Sequence, residues 1–220
     1  MSSASLYDFN PRATGHYEAR LWKAYYDRDW PLALVLVFQL LRSQFHLSPL
    51  QAVAAAYYSV RAALAWAPHV NDPQRVRALL ICFYAVLRAA TQSQFNPVAA
   101  GTAELEYWTV HRRFDGHIDQ PELADALSAI ASVVYTLPRA SAYPAGVARA
   151  RACDLVDAIT GGRQAPTRDA WAAVEHALQE ADSLLRREVV SRRPAACATG
   201  RERMTVSHMT REIVERRDHA

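Results

Sequence analysis

Two segments of this 220-residue chain carry the same residues at an offset of 86 positions. The first segment runs from Phe9 to Asp29 and the second from Phe95 to Asp115, and they align without a gap. Eight of the 21 aligned positions are identical: Phe9/Phe95, Asn10/Asn96, Pro11/Pro97, Ala13/Ala99, Gly15/Gly101, Glu18/Glu104, Trp22/Trp108 and Asp29/Asp115. The match predicts an internal duplication, with tandem repeats at about 9–94 and 95–180.

Apolar residues recur with helical spacing over most of the chain, and strand-like alternation is absent. Six prolines stand where new helices are expected, since Pro is favoured in the first helical turn: Pro31, Pro49, Pro73, Pro97, Pro121 and Pro144. The pattern predicts helices near 10–29, 31–45, 49–66, 73–94, 96–115, 120–136, 144–160 and 168–190. The expected fold class is all-α, a single bundle of about eight helices built from the two repeats.

The composition, 51% hydrophobic and 21% charged residues, excludes an intrinsically disordered chain. The three cysteines are far apart, which argues against a disulfide framework. The first residues lack a signal peptide's basic and apolar regions. The most apolar run, Leu32 to Leu41, is too short to span a bilayer. We therefore expect a soluble cytoplasmic protein that does not enter membranes.

The last residues differ in character from the rest of the chain. Residues 186–220 hold nine Arg against five acidic residues. We predict a helical domain over residues 1–190 and a polar, Arg-rich, flexible tail over 191–220. A nucleic-acid partner is expected only through this tail, because the remaining residues are nearly neutral.

The repeated glutamates are the leading candidates for a functional site. On a helix, Glu18, Trp22 and Tyr25 share one face, and Glu104, Trp108 and His111 share the corresponding face of the second repeat. If the repeats pack about a pseudo-two-fold axis, the two glutamates face each other across an aromatic-lined interface. Paired carboxylates in such a place share a proton, bind a cation or pair with an Arg.

Arg61 is the expected partner for a purely structural ion pair. It is the only charged residue between Gln44 and Pro68, in a strongly apolar segment. A charge inside so apolar a helix is rarely buried unless it is paired. We therefore expect Arg61 to contact Glu18 or Glu104.

A metal site is a second interpretation of the same carboxylates. A ferritin-like di-iron oxidoreductase would use iron or manganese ligands drawn from Glu18, Glu104, His111, Asp154 and Asp157. Such sites normally contain a Glu-x-x-His motif on two helices, and this chain has none. His111 also lies about 10 Å along the helix axis from Glu104, too far for both to bind one ion.

A small-molecule pocket between the repeats is the leading functional prediction. Aromatic walls with a few polar groups are typical of ligand sites, and the expected ligand is small and apolar or aromatic. The predicted ligand-binding residues are Glu18, Trp22, Tyr25, Arg61, Glu104, Trp108 and His111. No catalytic residue is assigned.

A protein-interaction adaptor is the remaining alternative. Residues 168–190 carry apolar residues at helical spacing: Trp171, Val174, Leu178, Ala181, Leu185 and Val189. This stripe either closes the bundle or pairs with a second subunit, which would give a homo-oligomer. The basic tail is the other candidate surface for a partner.

Several short motifs resemble those of a bacterial family of all-helical proteins from high-GC organisms. They are Leu47-Ser48 at a helix start, Trp66-Ala67-Pro68, Asn71-Asp72-Pro73, and the Glu-rich segment from Glu104 to Arg112 with its Trp-x-x-His-Arg. The resemblance covers roughly residues 9–160. It implies an all-helical fold and carries no assigned activity.

Overall fold

The computed structural model describes residues 5–113 and 121–192, which form eight helices and no strand. The helices are α1 (Pro11–Tyr26), α2 (Trp30–Phe45), α3 (Pro49–Trp66), α4 (Pro73–Thr91), α5 (Pro97–Arg113), α6 (Pro121–Tyr135), α7 (Arg139–Thr160) and α8 (Arg168–Ser191). The all-α bundle prediction is confirmed. The predicted tail lies outside the described residues from position 193 onward.

The helices begin where side chains satisfy the first free backbone N–H groups. The Asn10 side chain accepts from the N–H groups of Arg12 and Ala13, and Asp72 accepts from the first turn of α4. Ser48 and Gln51 form a reciprocal capping box at the start of α3. A proline follows each of these capping residues in the first turn, where a missing backbone N–H costs nothing.

The predicted start of α7 at Pro144 is wrong. The helix begins five residues earlier, at Arg139, and Pro144 lies inside it. Pro138 precedes the first turn, and the N–H groups of Ser141 and Ala142 both bond to its carbonyl oxygen. The ring of Pro144 removes one backbone donor, but packing on both sides holds the helix together across this position.

The eight helices form a closed ring. Within the described parts of the chain, extensive contacts join each helix to the next one along the sequence, and α8 closes the ring by packing on α1. Short connections make consecutive helices antiparallel. Odd-numbered helices therefore begin at the end of the ring where even-numbered helices finish.

The two ends of the ring are packed differently. At the end where α1 begins, one large apolar cluster joins buried residues of six helices across the ring, and Leu21 of α1 packs against it. Its buried members are Leu6, Phe9, Val37, Leu41, Phe45, Leu47, Ala52, Ala55, Ala56, Tyr84, Leu87, Phe95, Ala100, Val134, Tyr135, Leu137 and Val189. Toward the other end the apolar contacts divide into four smaller clusters between neighbouring helices. The space between these small clusters holds polar side chains.

Matched residues of the two predicted repeats have similar surroundings. Asn96 accepts from the first turn of α5 as Asn10 does in α1. A Cβ atom added at Gly15 would lie 2.7 Å from the Gln179 side chain of α8, and one at Gly101 would lie 2.8 Å from the backbone of Ile81 in α4. Each glycine thus lets its helix approach the preceding helix of the ring closely. The duplication itself stays a prediction.

No helix in the described parts of the chain combines the length and the apolarity needed to cross a membrane.

Candidate functional site

Four charged side chains from four helices meet at mid-height inside the ring. They are Glu18 of α1, Glu104 of α5, Arg149 of α7 and Asp182 of α8, and we call them the central cluster. Arg149 Nη2 donates a hydrogen bond to Glu18 Oε1, and Arg149 Nη1 lies 3.8 Å from Asp182 Oδ1. A single guanidinium of α7 therefore lies close to carboxylates from two other helices, α1 and α8.

The sequence of α7 explains how Arg149 reaches the centre. Its nearest neighbours on the same helical face are Ala145, Gly146, Ala152 and Cys153, all buried and all small. Small side chains let α7 pack closely between α6 and α8 and leave room for one long side chain. Arg149 fills that room.

Glu104 is held by two donors. Tyr84 Oη donates to Glu104 Oε2 at 2.8 Å, and Trp108 Nε1 donates to Glu104 Oε1 at 3.0 Å. Both carboxylate oxygens therefore have a partner from the protein. Burial raises the pKa of Glu104, and the hydrogen bonds and the positive charge of Arg149 only partly offset this effect.

The other two carboxyl groups also hold their protons more tightly than usual. Burial raises the pKa of Asp182 to about 8, against the lowering influence of Arg149. Burial likewise raises the pKa of Glu18, although Arg149 both attracts it electrostatically and hydrogen-bonds to it. Three acids around one cation would leave two negative charges in excess, and proton uptake relieves that imbalance.

Arg149 remains accessible despite its central position. Its side chain keeps 29% of its exposure, whereas the Glu18 and Asp182 side chains keep 9% and 2%. Part of the Arg149 side chain is therefore reached by solvent, whereas the two carboxylates are enclosed. The positive charge of Arg149 is retained at all ordinary pH, because its acidic neighbours outweigh the effect of burial and raise its pKa.

Among the buried oxygens of the central cluster, one has no hydrogen-bond partner in the part of the chain that the structure describes. Asp182 Oδ2 is fully buried and accepts no hydrogen bond from the described residues. A buried acceptor without a donor costs about 1–3 kcal/mol, so such groups usually have a water, a ligand or a bound proton. Proton binding at Asp182 agrees with its raised pKa.

Aromatic and thiol groups surround the cluster. Tyr107 Oη lies 3.6 Å from Cys153 Sγ, and Tyr107 stacks on His111 with ring centroids 5.9 Å apart. Burial raises the pKa of Cys153 to about 12, so the thiol stays protonated and is a poor nucleophile.

Two further predicted aromatic residues, Trp22 and Tyr25, follow Glu18 along α1. Trp22 packs against apolar clusters formed by α5, α6, α7 and α8, which places it next to the central cluster. Tyr25 is half-buried and contacts Trp30 edge to face, with ring centroids 5.7 Å apart. Burial raises the pKa of Tyr25, and Arg112 of α5 lies near enough to lower it in part.

Arg61 does not pair with either glutamate, so this prediction is wrong. The residue is exposed on the outer side of α3, where Arg61 Nη1 donates to Tyr57 Oη at 2.6 Å. A buried ion pair does form at Glu18, but its cation is Arg149. Arg149 and Asp182 are the members of the central cluster that the sequence interpretation missed.

The predicted metal ligands do not converge. His111 Nε2 lies 3.0 Å from Asp157 Oδ2, while Glu18 is paired with Arg149. Across residues 5–113 and 121–192, no three His, Cys, Asp or Glu side chains are grouped to hold one ion. The set Glu18, Glu104, His111, Asp154 and Asp157 therefore does not form the predicted iron or manganese centre.

The apolar stripe of 168–190 faces inward. Val174, Leu178, Ala181 and Val189 are buried, and α8 packs on both α1 and α7. The stripe closes the ring and is not a free surface for a second subunit, which corrects that alternative.

Two surface clefts lie away from the centre. One, of about 440 Å³, is lined by the end of α3 and the loop to α4, and the other, of about 470 Å³, lies between the start of α1 and the end of α8. Neither is lined by a member of the central cluster.

Comparison with known proteins gives no relative: no protein-family model, no curated protein and no solved structure matches this chain.

Proposed function

We propose that this protein binds a small molecule at the central cluster, between the two four-helix halves of the ring. The observation that carries the proposal is the exposure of Arg149. A charged side chain that lies among groups from α1, α5 and α8 and still keeps 29% of its exposure can be reached by a small molecule from the solvent. Concave sites with a few polar groups among aromatic side chains are typical of ligand pockets.

The chemistry of the cluster favours a ligand with a hydrogen-bond donor attached to an aromatic or apolar body. Asp182 Oδ2 has no hydrogen-bond partner among the described residues, and a ligand ammonium group that displaces the proton of Asp182 would make this oxygen an acceptor. Three carboxyl groups also outnumber the single guanidinium, which favours a cationic ligand group. Trp22, Tyr107 and Trp108 supply the aromatic surface beside them. An ammonium or hydroxyl group would complete the hydrogen bonding, and an aromatic body would contact the rings.

The proposal is tested with tryptamine, which has an aromatic body and an ammonium group, and with indole, which lacks the ammonium group. Isothermal titration and Trp fluorescence measure binding to the full chain. Native mass spectrometry of freshly purified protein detects any small molecule that it carries. We expect saturable binding of tryptamine, weaker binding of indole, or a carried adduct that tryptamine displaces.

The site is assigned with a matched pair of variants on α8. Asp182→Asn removes the carboxylate whose oxygen lacks a partner among the described residues, whereas Asp169→Asn changes an exposed carboxylate of the same helix. We expect at least a tenfold loss of affinity for the first variant and no change for the second, since hydrogen bonds to charged groups contribute about 1.5–3 kcal/mol. Absence of an adduct and of saturable binding, or equal affinity in both variants, contradicts the proposal.

A further inference from the structure

A cleft of about 440 Å³ lies between the end of α3 and the start of α4. Its walls come from both helices and from the connection between them, residues 67–72. This volume lies within the range of about 300–1,000 Å³ that is typical of small-molecule sites. We call it the α3–α4 cleft.

Two arginine side chains line the α3–α4 cleft. Arg61 reaches it from α3, and Arg75 reaches it from the first turn of α4. Arg61 donates to Tyr57 Oη, and the Arg75 side chain makes no hydrogen bond or ion pair within the described residues. Because a guanidinium carries five N–H donors, most of the donors in the cleft are not used by the protein. The cleft therefore presents two positive charges and several directed donors to a ligand.

Asp72 is the only acidic residue among those that line the cleft, and its carboxylate already has a structural role. Asp72 Oδ1 accepts from the backbone N–H groups of Gln74 and Arg75, at 3.0 Å and 3.3 Å. It therefore caps α4, and no ion pair joins it to either guanidinium in the described part of the chain. The two arginines leave the cleft with a net positive charge.

The connection between α3 and α4 is held in place from α5. Arg112 donates from Nη2 to the Trp66 carbonyl oxygen at 2.7 Å and from Nη1 to the Pro68 carbonyl oxygen at 3.2 Å. Asn71 Nδ2 donates to the same two oxygens at 3.0 Å and 2.8 Å. The Arg112 guanidinium also stacks on the Trp66 ring, 3.8 Å from its centroid. A wall that is already fixed in this way loses little conformational entropy when a ligand binds, which favours binding.

The rest of the lining is apolar. Leu64, Ala65, Pro68 and Val70 lie beside the arginines, and the side chains of Leu64 and Val70 are exposed. A ligand that matches this lining has an anionic group for the guanidiniums and a small apolar body. A phosphate monoester matches two arginines better than a carboxylate does, because it carries up to two negative charges and three acceptor oxygens. A carboxylate has one charge, and a single guanidinium satisfies both of its oxygens.

We infer that the α3–α4 cleft binds a small phosphate monoester with an apolar body, with the phosphate between Arg61 and Arg75. No member of the central cluster lines this cleft, so the inference does not depend on the function proposed above. The second cleft matches such a ligand less well. Its arginines, Arg186 and Arg187, are adjacent residues of one helix, and adjacent side chains on a helix do not face each other.

Phenyl phosphate is the probe, and isothermal titration into the full chain measures its binding. Inorganic phosphate lacks the apolar body, and benzoate has a carboxylate in place of the phosphate. We expect saturable one-to-one binding of phenyl phosphate, and about tenfold weaker binding of each of the other two ligands. The affinity should fall when the salt concentration is raised from about 0.05 M to 0.5 M, because salt screens charges that are exposed to solvent.

Arg61→Gln and Arg75→Gln should each weaken the binding of phenyl phosphate by about tenfold or more, since each removes charged hydrogen bonds to the phosphate. Arg88→Gln is the matched control, because Arg88 is an exposed arginine near the other end of α4 and should not affect binding. Both cleft arginines are exposed, so all three variants should keep the circular dichroism spectrum of the wild type.

Three results would overturn the inference: no saturable binding, equal affinity in Arg75→Gln and Arg88→Gln, or a loss of affinity that only Arg186→Gln produces. Binding of benzoate or of inorganic phosphate as tight as that of phenyl phosphate would also overturn it, because the ligand would then not be recognised by both its phosphate and its apolar body.

Discussion

α3 and α7 are similar in composition and opposite in arrangement. Each is rich in alanine, and each carries an arginine among small side chains. In α7 the guanidinium of Arg149 lies at the centre of the molecule, whereas in α3 that of Arg61 lies at the surface. The two helices thus use the same residue types for a buried ion pair and for an exposed outer side.

The phase of each arginine relative to the small residues explains the difference. Arg149 lies three or four residues from Gly146, Ala145 and Ala152, which places all of them on one helical face. Arg61 lies nine residues from Ala52, half a turn away, on the opposite side of its helix. An arginine therefore becomes buried when it shares the face of the small residues that allow close packing.

Arg149→Met should have the largest effect on the free energy of unfolding. It removes the cation and leaves Glu18 and Asp182 buried without their partner, which typically costs about 3–5 kcal/mol. Urea denaturation measures the change. Arg151→Met is the matched control, because Arg151 is exposed on the same helix and should change stability by less than about 0.5 kcal/mol. Equal effects of the two variants would refute the buried ion pair.

Gly146→Ala should destabilise the protein by about 1–3 kcal/mol. The added Cβ would lie 2.2 Å from Ser128 Oγ and 2.4 Å from the Ala124 carbonyl oxygen, so α6 and α7 must move apart. Without that clash the same change inside a helix would stabilise by about 1 kcal/mol. Thermal unfolding measures the change, and its sign tests how closely α7 packs on α6. A higher unfolding temperature in the variant would contradict the close contact of Gly146 with α6.

Asp182→Asn should alter how stability depends on pH. Folding raises the pKa of Asp182 to about 8 from its ordinary value near 4, so the folded state binds more protons between these values. The contribution of Asp182 to stability is full below about pH 4 and falls as pH rises toward 8, by up to about 1.4 kcal/mol per unit. The variant removes this contribution, although Arg149, Glu18 and Tyr135 still face the site.

Urea titrations of wild-type and Asp182→Asn protein at pH 6 and pH 7 measure the difference. The stability of the wild type should fall more over this interval than that of the variant. An equal fall in both proteins would mean that Asp182 is already ionised when folded.

The helices were predictable because their starts depend on local chemistry. Asn10, Ser48 and Asp72 cap helices through side chains within a few residues, and such signals are present in the sequence itself. Pro144 misled the prediction because its helix is held across the proline by packing on α6 and α8. That packing is a long-range effect which no local pattern contains.

The central cluster was predictable only in part. The duplicated glutamates indicated Glu18 and Glu104, since capping does not require Glu at those positions. Arg149 and Asp182 come from α7 and α8, and only the closure of the ring brings them to Glu18. The sequence does contain one signal for Arg149: its spacing from the small residues of α7 places it on the same helical face as they are. The prediction for Arg61 rested on composition alone. In a helix that is apolar on all sides, the sequence does not show which side faces the core, so it does not show whether Arg61 is buried.

Arg61→Met should have the smallest effect on the free energy of unfolding. It tests whether the arginine of α3 is as exposed as the comparison with α7 requires. Its contacts are a hydrogen bond to the exposed Tyr57 and a cation–π contact at 5.4 Å, both within one turn of the same helix. Such surface interactions contribute less than about 1 kcal/mol. Urea denaturation of both variants at one fixed protein concentration measures the change. A loss as large as that of Arg149→Met would mean that Arg61 has a buried acidic partner, and the contrast between α3 and α7 would then fail.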